Sequence, residues 1–395
     1  MNWRYAYTAL VACTLAFGAT MVARLVISPV VPLITADLGI SNTRIGLALS
    51  GMWLAYAMAQ FPSGVFADRI GERKIILAAL GITAVASLLL AAAPGPEAFL
   101  AVAVILGAGA GLHYSVATTF LSRQFDEIGR AIGVHVAGGP LAGLIAPPVA
   151  ALVGARYGWR PAILLGSGVA VLIFGLFWTA TDPTEPSRPD GSVIDRLTTI
   201  GPLIELMSRP PIVYTTLLSI AGAFSWQATA SFLPAFLVAA AGLSPARASL
   251  LFSLYFIVHG ATQPVTGWIS DRLSRDSAAT ITMAAGVVGY GLLVVGATRG
   301  WAIGRLAVAC VIVGVAMSWG APLQSRFIDT LGDAERGAGF GLVRTSYMIV
   351  GATGSVVTGA LADLLGWTAA FSLLIGVTGF GFATLITNRL LELDL

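Results

Sequence analysis

The chain has 395 residues, of which 57% are apolar and only 10% charged, with a net charge of +3. A water-soluble domain of this size carries about 25% charged residues, so the composition excludes a soluble enzyme or binding module, and the small positive excess offers no basic surface for nucleic acid. Cys13 and Cys310 both sit in apolar runs, where they serve as small packing residues rather than as a disulfide or metal ligands.

A membrane-crossing helix needs about 20 mostly apolar residues, and hydropathy predicts twelve of them, at 5–34, 44–67, 75–93, 98–122, 130–155, 160–180, 211–238, 246–270, 278–297, 302–325, 337–363 and 368–389. The first is read as a retained helix rather than a cleaved leader. It is too long, has no persuasive small-residue cleavage site, and runs on into Pro29 and Pro32. Along the second helix Trp53, Tyr56 and Gln60 share a face, and the helix leaves the membrane through Gly64 to Lys74, which holds Asp68, Arg69 and Arg73. The fourth carries the glycine cluster Gly107 to Gly111 followed by His113 and Tyr114; the fifth carries His135 and then Gly138-Gly139-Pro140. Such glycines allow close helix packing.

Residues 181–210 form the longest connection. A proline-rich polar stretch, Asp182 to Gly191, precedes Ser192 to Met207, whose apolar residues recur at helical spacing and predict an amphipathic helix lying on the membrane surface. This linker separates an N-terminal bundle, 1–180, from a C-terminal bundle, 211–395. In the second bundle, Trp226 and Gln227 mark the seventh helix. Tyr255, His259 and Gln263 share a face of the eighth, Trp319 lies in the tenth, and Arg344 in the eleventh.

The halves repeat. Gly64, Asp68 and Arg69 recur as Gly267, Asp271 and Arg272, Ser122-Arg123 as Ser325-Arg326, and Gly158-Trp159 as Gly366-Trp367. Landmarks in the same order at nearly constant offset are the product of a duplicated six-helix unit. With its twelve helices, long central loop and the Gly64 to Lys74 signature, the chain resembles the major facilitator superfamily of secondary transporters. The resemblance implies a gate role for Asp68, Arg69 and Arg73, with Asp271 and Arg272 as counterparts. The same residues also suit a static loop turn that anchors the chain by its positive charge.

The sequence departs from the superfamily's proton-coupled drug exporters in having Ala103 where they place an arginine before the helix-four glycines. The histidine of helix four followed by a glycine-rich helix five is similar to the fosmidomycin-resistance-like branch, which keeps efflux of drugs or amphiphiles open as an alternative, along with transport of a neutral metabolite. Organophosphate exchangers are similar in using a helix-one arginine, and oxalate/formate exchangers in placing basic residues in their C-terminal helices.

Charge inside a membrane is costly unless it faces a cavity or partner. None of the acidic residues falls centrally in a predicted helix, whereas Arg24 and Arg344 do enter the membrane. Arg24 can contact substrate, bond backbone carbonyls as an extracellular gate, or snorkel to an interface; Arg344 can contact substrate, gate the inner side or snorkel. The imbalance points to a small organic anion as substrate, taken by proton symport or anion exchange. His113 is read either as a substrate or proton-coupling group or as an interhelical hydrogen bonder, and His135 and His259 chiefly as the latter. The candidate binding set is Arg24, Arg344, His113, Tyr114, Gln60, Tyr56, His259, Gln263, Trp226, Gln227 and Trp319. No recognisable catalytic motif, phosphate-binding loop or metal-ligand spacing accompanies it, so neither an enzyme, an ATP-driven pump nor a cofactor is expected. Basic residues crowd the segments that lie inside when the N-terminus is cytoplasmic, among them Arg69, Arg73, Lys74, Arg123, Arg272, Arg275 and Arg326. The expected state is therefore a monomer in the cytoplasmic membrane, with both termini cytoplasmic and lipid as its surroundings.

Overall fold

In the computed structural model, residues 3–125, 128–187, 205–331, 336–393 and 395 are described. Every regular element among them is helical. Twelve helices follow in order: α1 (Trp3–Leu25), α2 (Asn42–Ile70), α3 (Glu72–Ala91), α4 (Pro96–Gly111 and His113–Ser122), α5 (Ile128–Val136 and Gly138–Tyr157), α6 (Trp159–Ala180), α7 (Pro210–Ala239), α8 (Pro245–Arg272), α9 (Arg275–Thr298), α10 (Ile303–Ala316 and Gly320–Thr330), α11 (Arg336–Leu365) and α12 (Trp367–Leu390). Nine of the helical segments among the described residues are long and apolar enough to cross a membrane by composition alone. The remaining three, α2, α7 and α8, are 29, 30 and 28 residues long, ample for a bilayer about 30 Å thick at 1.5 Å per residue.

Helix suits this solvent because each backbone N–H and C=O is satisfied within its own segment. The hydroxyl residues follow the same rule: Thr216 donates to the Ile212 carbonyl at 2.7 Å, Ser219 to Thr215 at 2.8 Å and Thr229 to Ser225 at 2.7 Å. Large apolar side chains point outward as well as inward. On α6, Leu172 is 69% exposed and Val171 60%, the pattern of a helix whose outer face meets lipid rather than water.

The helices expected from hydropathy are present, but four have internal breaks or extensions that the apolar pattern does not mark. The first ends at Leu25 and resumes after the 3-10 turn Ser28–Val30 as Val31–Leu38, because Pro29 and Pro32 withhold two backbone donors. α4 is interrupted at Leu112 and α5 at Ala137. α10 tightens into a 3-10 turn at Met317–Trp319 and continues to Thr330. The amphipathic helix expected at Ser192–Met207 lies outside the described residues as far as position 204.

Two compact units emerge: Met1–Ile40 with Gly51–Thr199, and Ser41–Ser50 with Ile200–Leu395. In the first, Cys13, Ala16, Leu80, Ala117, Phe120 and Phe177 belong to one buried cluster, and its many alanines let the helices approach closely. In the second, Phe236 stacks on Phe371 with centroids 4.0 Å apart, and Tyr290 shares a 2.6 Å hydrogen bond with Thr229. The start of α2 belongs to this second unit. Asp363 of α11 caps it: its carboxylate accepts from the backbone N–H of Asn42 and Thr43 at 3.0 and 2.7 Å, and from their side chains at 2.8 and 2.6 Å.

The internal repeat is visible in the backbone. Gly158 and Gly366 precede α6 and α12 at φ 86° and 88°, each followed by the tryptophan that opens the helix. This left-handed conformation favours glycine.

Candidate substrate site

The first unit holds a polar centre around Arg24. α1 carries this arginine at 2% exposure, and α2 presents two aromatic rings to it. The guanidinium carbon stands 4.7 Å from the Trp53 centroid and 4.2 Å from that of Tyr56, and the two rings meet edge to face at 5.9 Å. Arg24 Nε donates to the Thr20 carbonyl at 3.0 Å and Nη2 to Met21 Sδ at 2.9 Å. Nη1 is buried with no hydrogen-bond partner, and no carboxylate among the described residues pairs with the group. Two aromatic faces partly replace the lost hydration, but they leave the positive charge unneutralised. The arrangement suits an anion that brings both the missing charge and an acceptor for Nη1.

Close helix approach builds this centre. A methyl group at Gly107 of α4 would collide with the Met52 carbonyl of α2, and one at Gly138 of α5 with the Thr14 carbonyl of α1. The glycine clusters thus pull α4 against α2 and α5 against α1. His113 opens the second segment of α4 and His135 lies near the end of the first segment of α5. Their ring centroids are 5.4 Å apart, and Phe17 of α1 lies 6.1 and 5.3 Å from them. Tyr114 reaches 5.9 Å from His135. Gln60, one turn beyond Tyr56 on α2, is buried.

The second unit has its own buried polar set. Tyr255 and His259 lie one turn apart on α8 with rings 6.1 Å apart, and Gln263 Nε2 donates to His259 Nε2 at 3.0 Å. The Tyr255 hydroxyl, His259 Nδ1, Trp319 Nε1 and Gln227 Oε1 are buried without hydrogen-bond partners. Trp319, in the turn of α10, packs edge to face on Tyr347 of α11 at 5.8 Å. Arg344 lies one turn before Tyr347, and both it and Trp226 are half-buried. The two polar rhythms seen in the sequence, on α2 and α8, are therefore real faces: one clamps Arg24 and the other chains Tyr255, His259 and Gln263.

The gate candidates make local contacts within their own units. Asp68 accepts from the Ser187 hydroxyl at 3.0 Å. Arg73 donates to the Trp178 carbonyl at 2.6 Å and to Thr181 at 3.2 Å, and lies 5.0 Å from the Trp178 ring centroid. That places its charge against the C-terminal carbonyls of α6, as the helix dipole favours. Arg69 is exposed. In the second unit Asp271 pairs with Arg275, which also bonds Asp329 at 2.8 Å, while Arg272 lies over the exposed Trp268.

The sequence reading passed over a second pair of contacts. Glu72, at the start of α3, is buried and pairs with Arg123, at the end of α4, at 2.7 Å. Asp276, near the start of α9, pairs with Arg326 of α10. Arg326 also bonds Thr215 at 3.0 Å and lies 5.0 Å from the Tyr214 centroid, and Asn388 of α12 reaches Asp276 at 3.3 Å. The repeat already aligned Arg123 with Arg326; stepping the same offset back from Asp276 lands on Arg73, one position past Glu72, so the two acidic partners stand one residue out of register and the alignment alone does not pair them. Asp363, which caps the start of α2, is another residue whose partners the sequence pattern does not mark. Among the described residues no group of three histidines, cysteines or carboxylates is placed to hold a metal.

The model of the Major Facilitator Superfamily matches residues 9–244 and 215–390, and the chain belongs to that family. It is therefore a multi-pass membrane secondary transporter and not an enzyme. Over 94% of its length it is 25% identical to a probable sulfoacetate transporter of Cupriavidus necator, covering 91% of that protein. Over 65% of its length it is 24% identical to a hexuronate transporter of Bacillus subtilis, spanning 62% of that relative. Among solved structures it is similar to the nucleoside transporter NupG, with a TM-score of 0.81 at 14% identity, 96% of this chain and 99% of that one being covered. That likeness concerns the fold.

Proposed function

We propose that the protein carries a small organic anion across the cytoplasmic membrane by alternating access, coupled to a proton or to a counter-anion. The observation that carries this reading is Arg24, buried between Trp53 and Tyr56, with one terminal nitrogen unpartnered and no carboxylate of the described residues paired with it. A buried charge left without a partner is expensive. A site whose counter-charge arrives as substrate limits that cost and rejects cations. The names of the sulfoacetate and hexuronate relatives support the same class of cargo. Arg344 with Tyr347 and Trp319 supplies basic and aromatic surface in the second unit, while Gln60, Tyr114, Trp226, Gln227, His259 and Gln263 add polar and aromatic contacts. Asp68, Arg69 and Arg73, with Asp271 and Arg272, serve as gate elements. Both termini face the cytoplasm, and the protein works as a monomer surrounded by lipid.

The test is uptake into proteoliposomes of sulfoacetate, D-glucuronate, short mono- and dicarboxylates and phosphate esters beside neutral sugars and nucleosides, with and without a pH gradient or internal counter-anion. Saturable uptake of an anion that neutral and cationic analogues do not compete away supports the reading. Transport restricted to neutral or cationic compounds overturns it.

A further inference from the structure

The fold joins two residues that are 22 positions apart and lie on different helices. His113 and His135 are both fully buried, and none of their four ring nitrogens has a partner within hydrogen-bond distance. Both rings face the backbone carbonyl of Cys13 on α1, and Phe17 stands against both. Buried polar atoms without partners are rare in native proteins and call for an explanation. Packing alone does not supply one, since leucine or phenylalanine would fill the same space without polar atoms to desolvate.

Their spacing points to what they hold. An imidazole nitrogen lies about 1.1 Å from its ring centroid, so rings 5.4 Å apart bring nitrogens to about 3 Å once they turn edge to edge, an ordinary N–H···N length. One protonated ring can then donate to its neutral neighbour, while the Cys13 carbonyl accepts from either. A second proton would set two like charges in contact. The titratable and charged groups around the pair are Cys13 and Arg24 on α1, Tyr114 on α4, and Tyr56 of α2 beside Arg24; no carboxylate among the described residues faces it.

We propose that His113 and His135 form a single proton site, which fills when an anion neutralises Arg24. Arg24 follows Phe17 by seven residues on α1, about 10 Å along the axis, and Phe17 touches both histidines, so the guanidinium charge bears on the pair through a low-dielectric interior. A proton on the pair and the guanidinium repel each other, and an anion beside Arg24 cancels that repulsion. Anion and proton therefore each favour the other's binding, by reciprocal linkage. The proton is taken from hydronium on the side from which the anion enters, one O–H bond breaking as one N–H bond forms, and it returns to water on the side where the anion leaves. The proposal rests on the anion reading of Arg24 and makes the protein a symporter.

Nitrogen-15 NMR of histidine-labelled full-length protein in nanodiscs tests the pair without a substrate. The chain has three histidines, and His259→Gln leaves only the pair in view. One proton should bind across both rings, with their signals moving together. Replacing His135 with Gln should displace the His113 titration by at least about one pH unit, a tenfold change in proton affinity. Arg24→Gln should raise the midpoint of the pair by a similar amount. In proteoliposomes, His135→Gln should reduce pH-driven accumulation at least tenfold while sparing counterflow, with sulfoacetate and D-glucuronate as probes. Two independent titrations, each indifferent to loss of the other ring, would overturn the proton site. A midpoint unmoved by Arg24→Gln would overturn the coupling and leave the anion site standing. A midpoint that moves, in a protein that binds no anion of the panel, would keep the proton site and remove the anion reading.

Discussion

Arg24 shows what a single charged residue in a membrane helix can and cannot reveal from sequence. Its depth in the first apolar run and the absence of a nearby carboxylate were visible. So was the rhythm of Trp53, Tyr56 and Gln60 on α2, since spacing along one helix fixes which residues share a face. That these rings close over Arg24 was not visible, because pairing between helices is decided by tertiary packing. The clamp has a mutational consequence. Arg24→Gln should raise the substrate concentration for half-maximal binding at least about tenfold, or 1.4 kcal/mol, in equilibrium binding on purified protein. Arg24→Lys should restore little of it, because an ammonium lacks the flat face that lies on Trp53 and Tyr56 and the fork that reaches a carboxylate or sulfonate with two N–H groups. Unchanged affinity in both variants would remove Arg24 from the site.

Among the elements, the most informative are the paired helix ends of the two repeats. Glu72 has a side chain only 2% exposed, whereas its partner Arg123 is 42% exposed, so the carboxylate depends on the arginine far more than the reverse. Arg123→Gln strands a buried charge and should cost about 3 kcal/mol, read as a lower unfolding temperature in detergent. Glu72→Gln introduced alongside it should recover most of the loss, and failure to do so would mean that Arg123 acts through another contact. The equivalent Asp276–Arg326 pair is shared with Thr215, Tyr214 and Asn388, so a double replacement there should recover less. Asp68, near the end of α2, accepts from the hydroxyl of Ser187 in the segment after α6. A carboxylate that bonds a connecting segment rather than its own helix suits a group that changes partners during the cycle. Asp68→Asn should therefore slow transport several-fold more than it weakens equilibrium substrate binding; normal transport, or loss of binding in a folded protein, would reject the gate role. Apolar runs made the helices legible. The breaks at Leu112, Ala137 and Met317–Trp319 were hidden inside those runs, because glycine and alanine keep hydropathy high whether or not the ladder of backbone hydrogen bonds is continuous.

At the scale of the whole molecule, the duplication was the most legible feature. Gly158-Trp159 and Gly366-Trp367 could be aligned from sequence, and both glycines take the same left-handed turn before α6 and α12. Orientation in the membrane rests on a different kind of argument. Under the proposed topology, with the N-terminus inside, the α2–α3 connection and the segment after α6 face the cytoplasm and the α9–α10 connection faces outward. That topology assigns Arg69, Arg73, Lys74 and Arg123 of the first half and Arg272, Arg275 and Arg326 of the second to the cytoplasmic side, in keeping with the excess of basic residues found there in membrane proteins. It assigns Arg44, Arg156, Arg160, Arg247 and Arg299 to the outer side, mostly against helix ends, and Arg160 is neutralised by Asp37 at 2.6 Å. Single-cysteine labelling can decide the matter with little background, since Cys13 and Cys310 are both fully buried. Ile70→Cys and Glu185→Cys should resist a membrane-impermeant maleimide added to intact cells and react once the membrane is opened. Arg299→Cys should react from outside without opening. All three positions are exposed in the fold, so silence cannot be blamed on burial. The reverse pattern would place both termini outside and exchange the inner and outer roles of every gate residue, while leaving the Arg24 clamp and the histidine pair where they are.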